Sequence, residues 1–314
     1  RVPKMSETKA RVTEEANSRE DLGEYLARQR RRVDECLERY LPAETEAPAE
    51  VHQAMRYSVF AGGKRFRPIL ALATAEALGD EERVMDFACA LEMLHTYSLI
   101  HDDLPAMDND DFRRGRPTCH KRFGEAVAIL AGNALMARAF WLLARPRNEA
   151  ATEACRLELI HRLCEAIGTP RGVIAGQVVD LLTQGKPYTA EELRFIHACK
   201  TAALIEISVA GAAFLCGAEV AVEEQCRKFG RKIGLAFQIV DDILDETGSE
   251  QEVGKTLGKD RVQKKATYPA LFGLESSRRE AERLVDEAVA GLEPLGPRAY
   301  RLVQLARFVA SRRH

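Results

Sequence analysis

Residues 99–120 read LIHDDLPAMDNDDFRRGRPTCH: Asp102, Asp103, Asp108, Asp110 and Asp111 fall within ten positions, and Arg113, Arg114 and Arg116 follow. The stretch opens on apolar Leu99 and Ile100, so it is not a solvated charge run. A second acidic cluster, FQIVDDILD, places Asp241, Asp242 and Asp245 at residues 237–245. On a helix Asp241 and Asp245 lie about 40° apart around the axis and face one way. They would repel unless a cation sits between them. Asp102 and Asp108 would face differently on a continuous helix, but Pro105 breaks it and lets Asp108 fold back towards Asp102. Carboxylates without His or Cys suit Mg²⁺, which takes one or two of them together with water and substrate phosphate. Two such clusters, with cations nearby, point to a di- or triphosphate held between two helices.

Candidate phosphate-binding cations are present. GGKRFRP at residues 62–68 places Lys64 and Arg67 after a flexible glycine pair, where backbone can approach an anion. It lacks P-loop spacing, which argues against a nucleotide triphosphatase. Arg113 and Arg114 offer planar forks for bidentate phosphate contacts. Lys200, Lys255, Lys259 and Lys265 are further candidates, although any single lysine is more often a surface charge.

The elements that must position these groups are helical. Apolar periodicity marks helices over about 20–40, from near Pro48, and over 68–78, 83–103, 125–144, 150–167, 189–216, 222–246, 277–290 and 297–312. Convincing strands and repeats are missing. No domain boundary stands out, so residues 21–314 read as one all-α bundle after a polar, flexible segment 1–20, within which Met5 is a natural start. The net charge of −2 gives no field for nucleic acid or an anionic membrane. RQRRR at 28–32 is interleaved with carboxylates and reads as a solvated helix face. The eight cysteines are scattered, without zinc spacing, as in a reduced compartment, the cytoplasm. The reading finds no membrane span and no secretory signal.

The ordered set GGKRFRP, HTYSLIHDDLPAMDNDDFRRGRPT, GQVVDL, KTAALI, FQIVDDILD and GKTLGKD…KKATYP, spread over residues 62–269, resembles the trans-polyprenyl diphosphate synthases. The likeness is strongest to the bacterial farnesyl diphosphate synthases, which share the four-residue spacing in the first Asp motif. The resemblance implies an isoprenoid-synthase bundle with a central active-site cavity, a homodimer, and three Mg²⁺ ions. It implies that Asp102 and Asp108 bind two Mg²⁺ on an allylic diphosphate, and that Asp241 binds the third, with Asp242 and Asp245 in support. Asp103 completes the first motif. Arg113, Lys200, Lys255 and Lys265 would hold the allylic diphosphate. Lys64, Arg67, His95 and Arg114 would hold isopentenyl diphosphate. Thr201 and Gln238 would direct oxygen dipoles at the allylic carbon.

In such enzymes a bulky residue five before the first Asp looks like a floor that limits product length. Here that is Tyr97, with small Ser98 beside it, which favours a fifteen-carbon farnesyl product over geranylgeranyl. Asn133 and Ala175 depart from residues common in relatives, and His101 reads as a packing residue. Arg312 and Arg313 are left open between closing over the isopentenyl diphosphate site and fraying as a basic tail. A class I terpene cyclase would not need Lys64, Arg67, His95 and Arg114. An inactive regulatory subunit should have lost one Asp motif, and both are intact.

Overall fold

The computed structural model describes residues 20–145, 152–247 and 265–312. Its helices are α1 (Leu22–Tyr40), α2 (Ala49–Val59), α3 (Phe66–Leu78), α4 (Met85–Asp102), α5 (Cys119–Phe123), α6 (Glu125–Ala144) and α7 (Glu153–Ile167). There follow α8 (Val173–Thr183), α9 (Ala190–Ile196), α10 (Ala203–Leu215), α11 (Val220–Thr247), α12 (Tyr268–Phe272), α13 (Leu274–Ala290) and α14 (Tyr300–Ser311). A two-stranded hairpin, β1 (Phe112–Arg113) and β2 (Arg116–Pro117), interrupts them.

Three of these helices are apolar on nearly every side and therefore sit at the centre. In α3, Ala71, Leu72 and Ala75 face one core cluster, whereas Ile69, Leu70, Ala73 and Ala77 face another. In α10, Leu204, Ile207 and Leu215 join the first, and Ile205, Val209 and Ala213 the second. α4 is buried along most of its length and packs most extensively on α6. α11 is instead amphipathic: Cys226, Phe229, Ile233, Ala236, Val240 and Ile243 recur at helical spacing and seal it against α10 and α13.

Three helix axes come unusually close because glycines stand at the crossings. A Cβ on Gly176 of α8 would lie 2.3 Å from the Lys200 backbone nitrogen. A Cβ on Gly234 of α11 would lie 2.6 Å from the Ala202 Cα. Both contacts fall on residues 197–202, which form a π-helical turn between α9 and α10. The helix expected over 189–216 is thus not continuous: the extra residue in the turn bulges Lys200 and Thr201 out of the regular ladder, a device frequent at functional sites.

Other expectations change at the edges. α8, α5, α12 and the hairpin were not anticipated. α8 follows Gly172 and is apolar on opposite faces, with Ile174, Val178 and Leu182 exposed, so its period is masked. The last two helices begin at Leu274 and Tyr300, because Gly296 takes a non-helical conformation and sets the last one off. Glu20 is not part of a loose tail: Arg28 and Arg301 donate to its carboxylate at 3.0 Å each. The rest of the expected flexible segment lies outside the described residues. The basic run on α1 is paired as a surface face, Arg28 with Glu20, Arg30 with Asp34 and Arg32 with Glu81.

Two stretches, Glu125–Ala144 and Ala190–Leu215, are long and apolar enough to cross a membrane by length and composition alone, a test that the core helix of a folded protein also passes. The second is mostly buried within the protein, while α6 keeps Ile129, Leu130 and Trp141 exposed.

The closeness at Gly234 gives a direct test. Gly234→Val must push α11 off the turn, and overpacking of this kind costs about 1–3 kcal/mol. The thermal midpoint should fall; an unchanged midpoint would contradict the packing described.

Candidate active site

The first acidic motif is shaped by the end of α4. After Asp102 the chain turns through Pro105, and the Asp108 N–H donates to the Asp102 carbonyl at 2.8 Å. Asp108 folds back as the proline led one to expect. Asn109 completes the turn at φ 50°. The neighbouring Asp103 is buried and grips Arg113: Nε and Nη2 donate to its carboxylate at 2.9 and 2.6 Å. It thereby orients the guanidinium and does not face the gap as Asp102 and Asp108 do.

The hairpin turn puts Arg114 at φ 53° and Gly115 at φ 73°, the signs required by a tight two-residue hairpin. Arg114 then donates to the Gly62 carbonyl and lies over Gly63, whose missing side chain makes room for it.

The second motif is organised around Asp242. Its side chain is buried; it accepts from Gln238 Nε2 at 2.8 Å and from the Tyr268 backbone N–H at 2.9 Å. His197 Nε2 lies 3.1 Å from the same oxygen that accepts from Tyr268. Asp242 is a structural anchor, while Asp241 and Asp245 occupy the more open face of α11. Thr201 donates to Gln238 Oε1 at 2.6 Å, which leaves hydroxyl lone pairs available in the cleft.

Two bridges bring the motifs together. Lys200 on the π turn donates to Asp180 at 2.6 Å, and the next residue, Thr201, reaches the Gln238–Asp242 pair. Burial pulls the Lys200 ammonium down, but Asp180, Asp102 and Asp108 outweigh it and hold it firmly protonated. The segment entering α12 does the same: Lys265 donates to Asp108 at 3.0 Å and the Tyr268 N–H to Asp242. Even so, burial, with Asp108 adding, pushes Asp102 up to about 6. Among the described residues no three carboxylate, imidazole or thiol groups converge as a complete metal cage.

The loop at 62–67 is pinned by a residue that sequence reasoning passed over. Arg65, buried and at φ 51°, donates to Asp34 and Glu92 at 2.8 Å each and to the carbonyls of Val59 and Gly62. It sets Lys64 and Arg67 on either side of itself. Burial lowers Arg67 to about 10, which leaves it charged at neutral pH. Burial, then Arg67 and Arg114, pushes His95 well below its usual range, so it is neutral there.

The C-terminal helix meets this loop. Lys64 Nζ lies 5.4 Å from the Phe308 ring, and Arg312 stacks 4.2 Å over Phe237. The Arg312 guanidinium approaches Asp241 at 2.9 Å, so it is seated at the second Asp motif and not frayed. Arg313, Lys255 and Lys259 lie outside the described residues.

Tyr97 is 7% exposed, packs edge-on against His101 at 5.7 Å, and belongs to the core beneath Asp102. Ser98 bonds back within its own helix, donating to the His95 carbonyl. Asn133 is exposed. Residues missed besides Arg65 are His197, Asp180 and Gln177. Gln177 is 8% exposed, one turn from Asp180, with neither amide atom hydrogen-bonded. Only the GQVVDL string could have signalled the last two.

A family profile described as polyprenyl synthetase matches residues 48–294. A farnesyl diphosphate synthase of Geobacillus stearothermophilus is 44% identical over 93% of this chain and 98% of its own. A chloroplastic geranylgeranyl pyrophosphate synthase of Catharanthus roseus is 50% identical over 84% of this chain and 74% of its own. Among solved structures, a Helicobacter pylori geranyltransferase complexed with magnesium and isoprenyl diphosphate superposes with a TM-score of 0.78 at 35% identity, covering 91% of this chain and 95% of its own.

Two measurements test the site's electrostatics. A carboxyl raised in the folded state weakens folding above its folded value, and the penalty fades as pH falls through about 6. Asp102→Asn should therefore raise the metal-free thermal midpoint at pH 7.5, by roughly 2–4 °C per kcal/mol relieved, and the gain should shrink below pH 6. Arg65→Met leaves Glu92 buried and unpaired, which costs about 3–5 kcal/mol. Its midpoint should fall sharply, and a drop no larger than that of a surface substitution would contradict the role given to Arg65.

Proposed function

Since the chain belongs to the polyprenyl synthetase family, we propose that it condenses isopentenyl diphosphate head-to-tail (1′-4) with dimethylallyl and then geranyl diphosphate to make (E,E)-farnesyl diphosphate. The observation that carries the product length is buried Tyr97, about one and a half turns before Asp102 on α4. A tail growing along that helix from a diphosphate held at Asp102 would meet its ring.

The residues fit magnesium. Asp102, Asp108, Asp241 and Asp245 are an all-oxygen donor set, and Asp102 carries an unfavourable charge burden that a divalent cation would relieve. They would hold it, and bound magnesium would neutralise charge on a departing diphosphate. Arg113, oriented by Asp103, and Lys200, oriented by Asp180, would add fixed positive charge at the same oxygens. Lys265 would join them, and Lys255, outside the described residues, would do so by resemblance. Lys64, Arg67, Arg114 and neutral His95 would hold the second diphosphate. The partial negative charges of Thr201 Oγ1 and Gln238 Oε1 would face the allylic cation formed when its C–O bond ionises.

The double bond of isopentenyl diphosphate attacks that cation, and a proton then leaves, taken up by the released diphosphate. No side chain has to serve as base. The buried amide of Gln177 is available to orient substrate or a water beside Asp180. Close packing at Gly176 and Gly234 limits water, which would otherwise capture the cation.

A homodimer forms part of the proposal: Ile129, Leu130 and Trp141 of α6, together with Leu157 of α7, would be covered by a second copy. All eight cysteines are unpaired, which supports placement in the cytoplasm. The second reading, a geranylgeranyl diphosphate synthase, is favoured by the 50% identity to the Catharanthus roseus protein.

Incubation with Mg²⁺, isopentenyl diphosphate and dimethylallyl diphosphate, followed by identification of the dephosphorylated alcohols, decides between them. Farnesol should dominate, and Tyr97→Ala should shift the product to twenty carbons or more. Geranylgeraniol from the unaltered protein would overturn the role of Tyr97 but not the reaction class. Chelation of the metal should abolish turnover.

A further inference from the structure

The strap entering α12 brings Lys265 to Asp108, and a tyrosine outside both Asp motifs holds that strap. Residues 188–193 read YTAEEL. Thr189 caps α9: its hydroxyl accepts from the Glu192 N–H at 3.1 Å, and the Glu192 carboxylate accepts from the Thr189 N–H at 2.7 Å. A reciprocal cap of this kind brings the residue before it against the fourth residue of the helix. Here these are Tyr188 and Leu193, which share one apolar cluster.

The ring of Tyr188 is thus set by α9, and its hydroxyl reaches another segment. It donates to the Thr267 carbonyl at 3.3 Å and accepts from the Thr267 N–H at 3.2 Å. One hydroxyl so takes both backbone groups of a residue 79 positions away. The neighbours of Thr267 are held as well. Ala266 is buried with Leu193 and Ile196 of α9. The Tyr268 N–H donates to Asp242, and its ring lies 6.0 Å from His197 and 4.6 Å from Phe272. Asp242 therefore secures the strap from α11, and Tyr188 with α9 secures it from the opposite side.

A lysine carries a point charge on a flexible stem. Where the charge sits depends on where the backbone beneath it is held. We propose that Tyr188 is a positioning residue for the allylic diphosphate: by clasping Thr267 it holds the Lys265 ammonium at Asp108, where that diphosphate would bind. The inference rests on the role given to Lys265 above. Tyr188 acts through the strap and is not itself a substrate contact. Phenylalanine at this position keeps the packing on Leu193 and removes the clasp, so the two contributions of the side chain are separable.

The test is calorimetry on the full chain with Mg²⁺, titrating dimethylallyl diphosphate and isopentenyl diphosphate separately so that no elongation occurs. Tyr188→Phe should weaken dimethylallyl diphosphate binding roughly threefold to tenfold, as expected for loss of a net hydrogen-bond contribution, and leave isopentenyl diphosphate binding unchanged. Its thermal midpoint should fall less than that of Tyr188→Ala, which also loses the packing on Leu193. Lys265→Ala should weaken binding of the same allylic ligand, and Tyr188→Phe added to it should bring no further loss, because the two act through one contact. Equal weakening of both ligands would make Tyr188 a general structural residue and overturn the proposal. So would a full additional loss in the Lys265→Ala background, or unchanged allylic affinity in Tyr188→Phe while Lys265→Ala binds more weakly. Unchanged affinity in Lys265→Ala would overturn the role given to Lys265 itself, and this inference with it.

Discussion

The ammonium groups of Lys200 and Lys265 hold the site together. Each belongs to a segment that touches both acidic motifs: Lys200 faces Asp102 and Asp108 while Thr201 reaches Gln238, and Lys265 binds Asp108 while the Tyr268 N–H binds Asp242. Carboxylates gathered around one gap repel, and in a partly buried gap that repulsion is weakly screened. Without these cations the ends of α4 and the middle of α11 would have reason to separate. Burial, with Asp108 adding, pushes Asp102 up to about 6 in spite of them, so compensation is incomplete.

That arrangement needs backbones closer than ordinary helix packing allows. Gly176 and Gly234 supply the closeness on two sides of the same π turn. The turn itself converts a helix that would have hidden Lys200 and Thr201 in its ladder into one that presents both. His197, on the first residue of the turn, stacks on Tyr268 and lies against Asp242, so the turn, α11 and α12 are fixed as a unit.

Backbone strain concentrates here as well. Among the described residues the non-glycine residues with positive φ are Arg65, Asn109 and Arg114. One pins the lysine loop, one closes the first acidic turn, and one reaches from the hairpin to Gly62. Such conformations persist only where surrounding contacts over-determine them. Arg65 is over-determined by four acceptors.

The sequence by itself determined the helical class, the two acidic motifs, the fold-back at Pro105 and the principal cations, because periodicity, proline and charge spacing are local properties of the chain. Tertiary structure alone decided what the remaining member of each acidic pair does. Asp103 and Asp242 read identically to their neighbours in sequence, yet partners 10 and 26 residues away turn them into anchors for Arg113 and Tyr268. It also decided that Arg65 and not only Lys64 and Arg67 matters, that α8 exists, and that residues 197–202 leave the α-helical ladder. Each of these depends on burial against a distant element, where an unpaired charge or a missing Cβ changes the free energy, and no spacing rule along the chain records that contact.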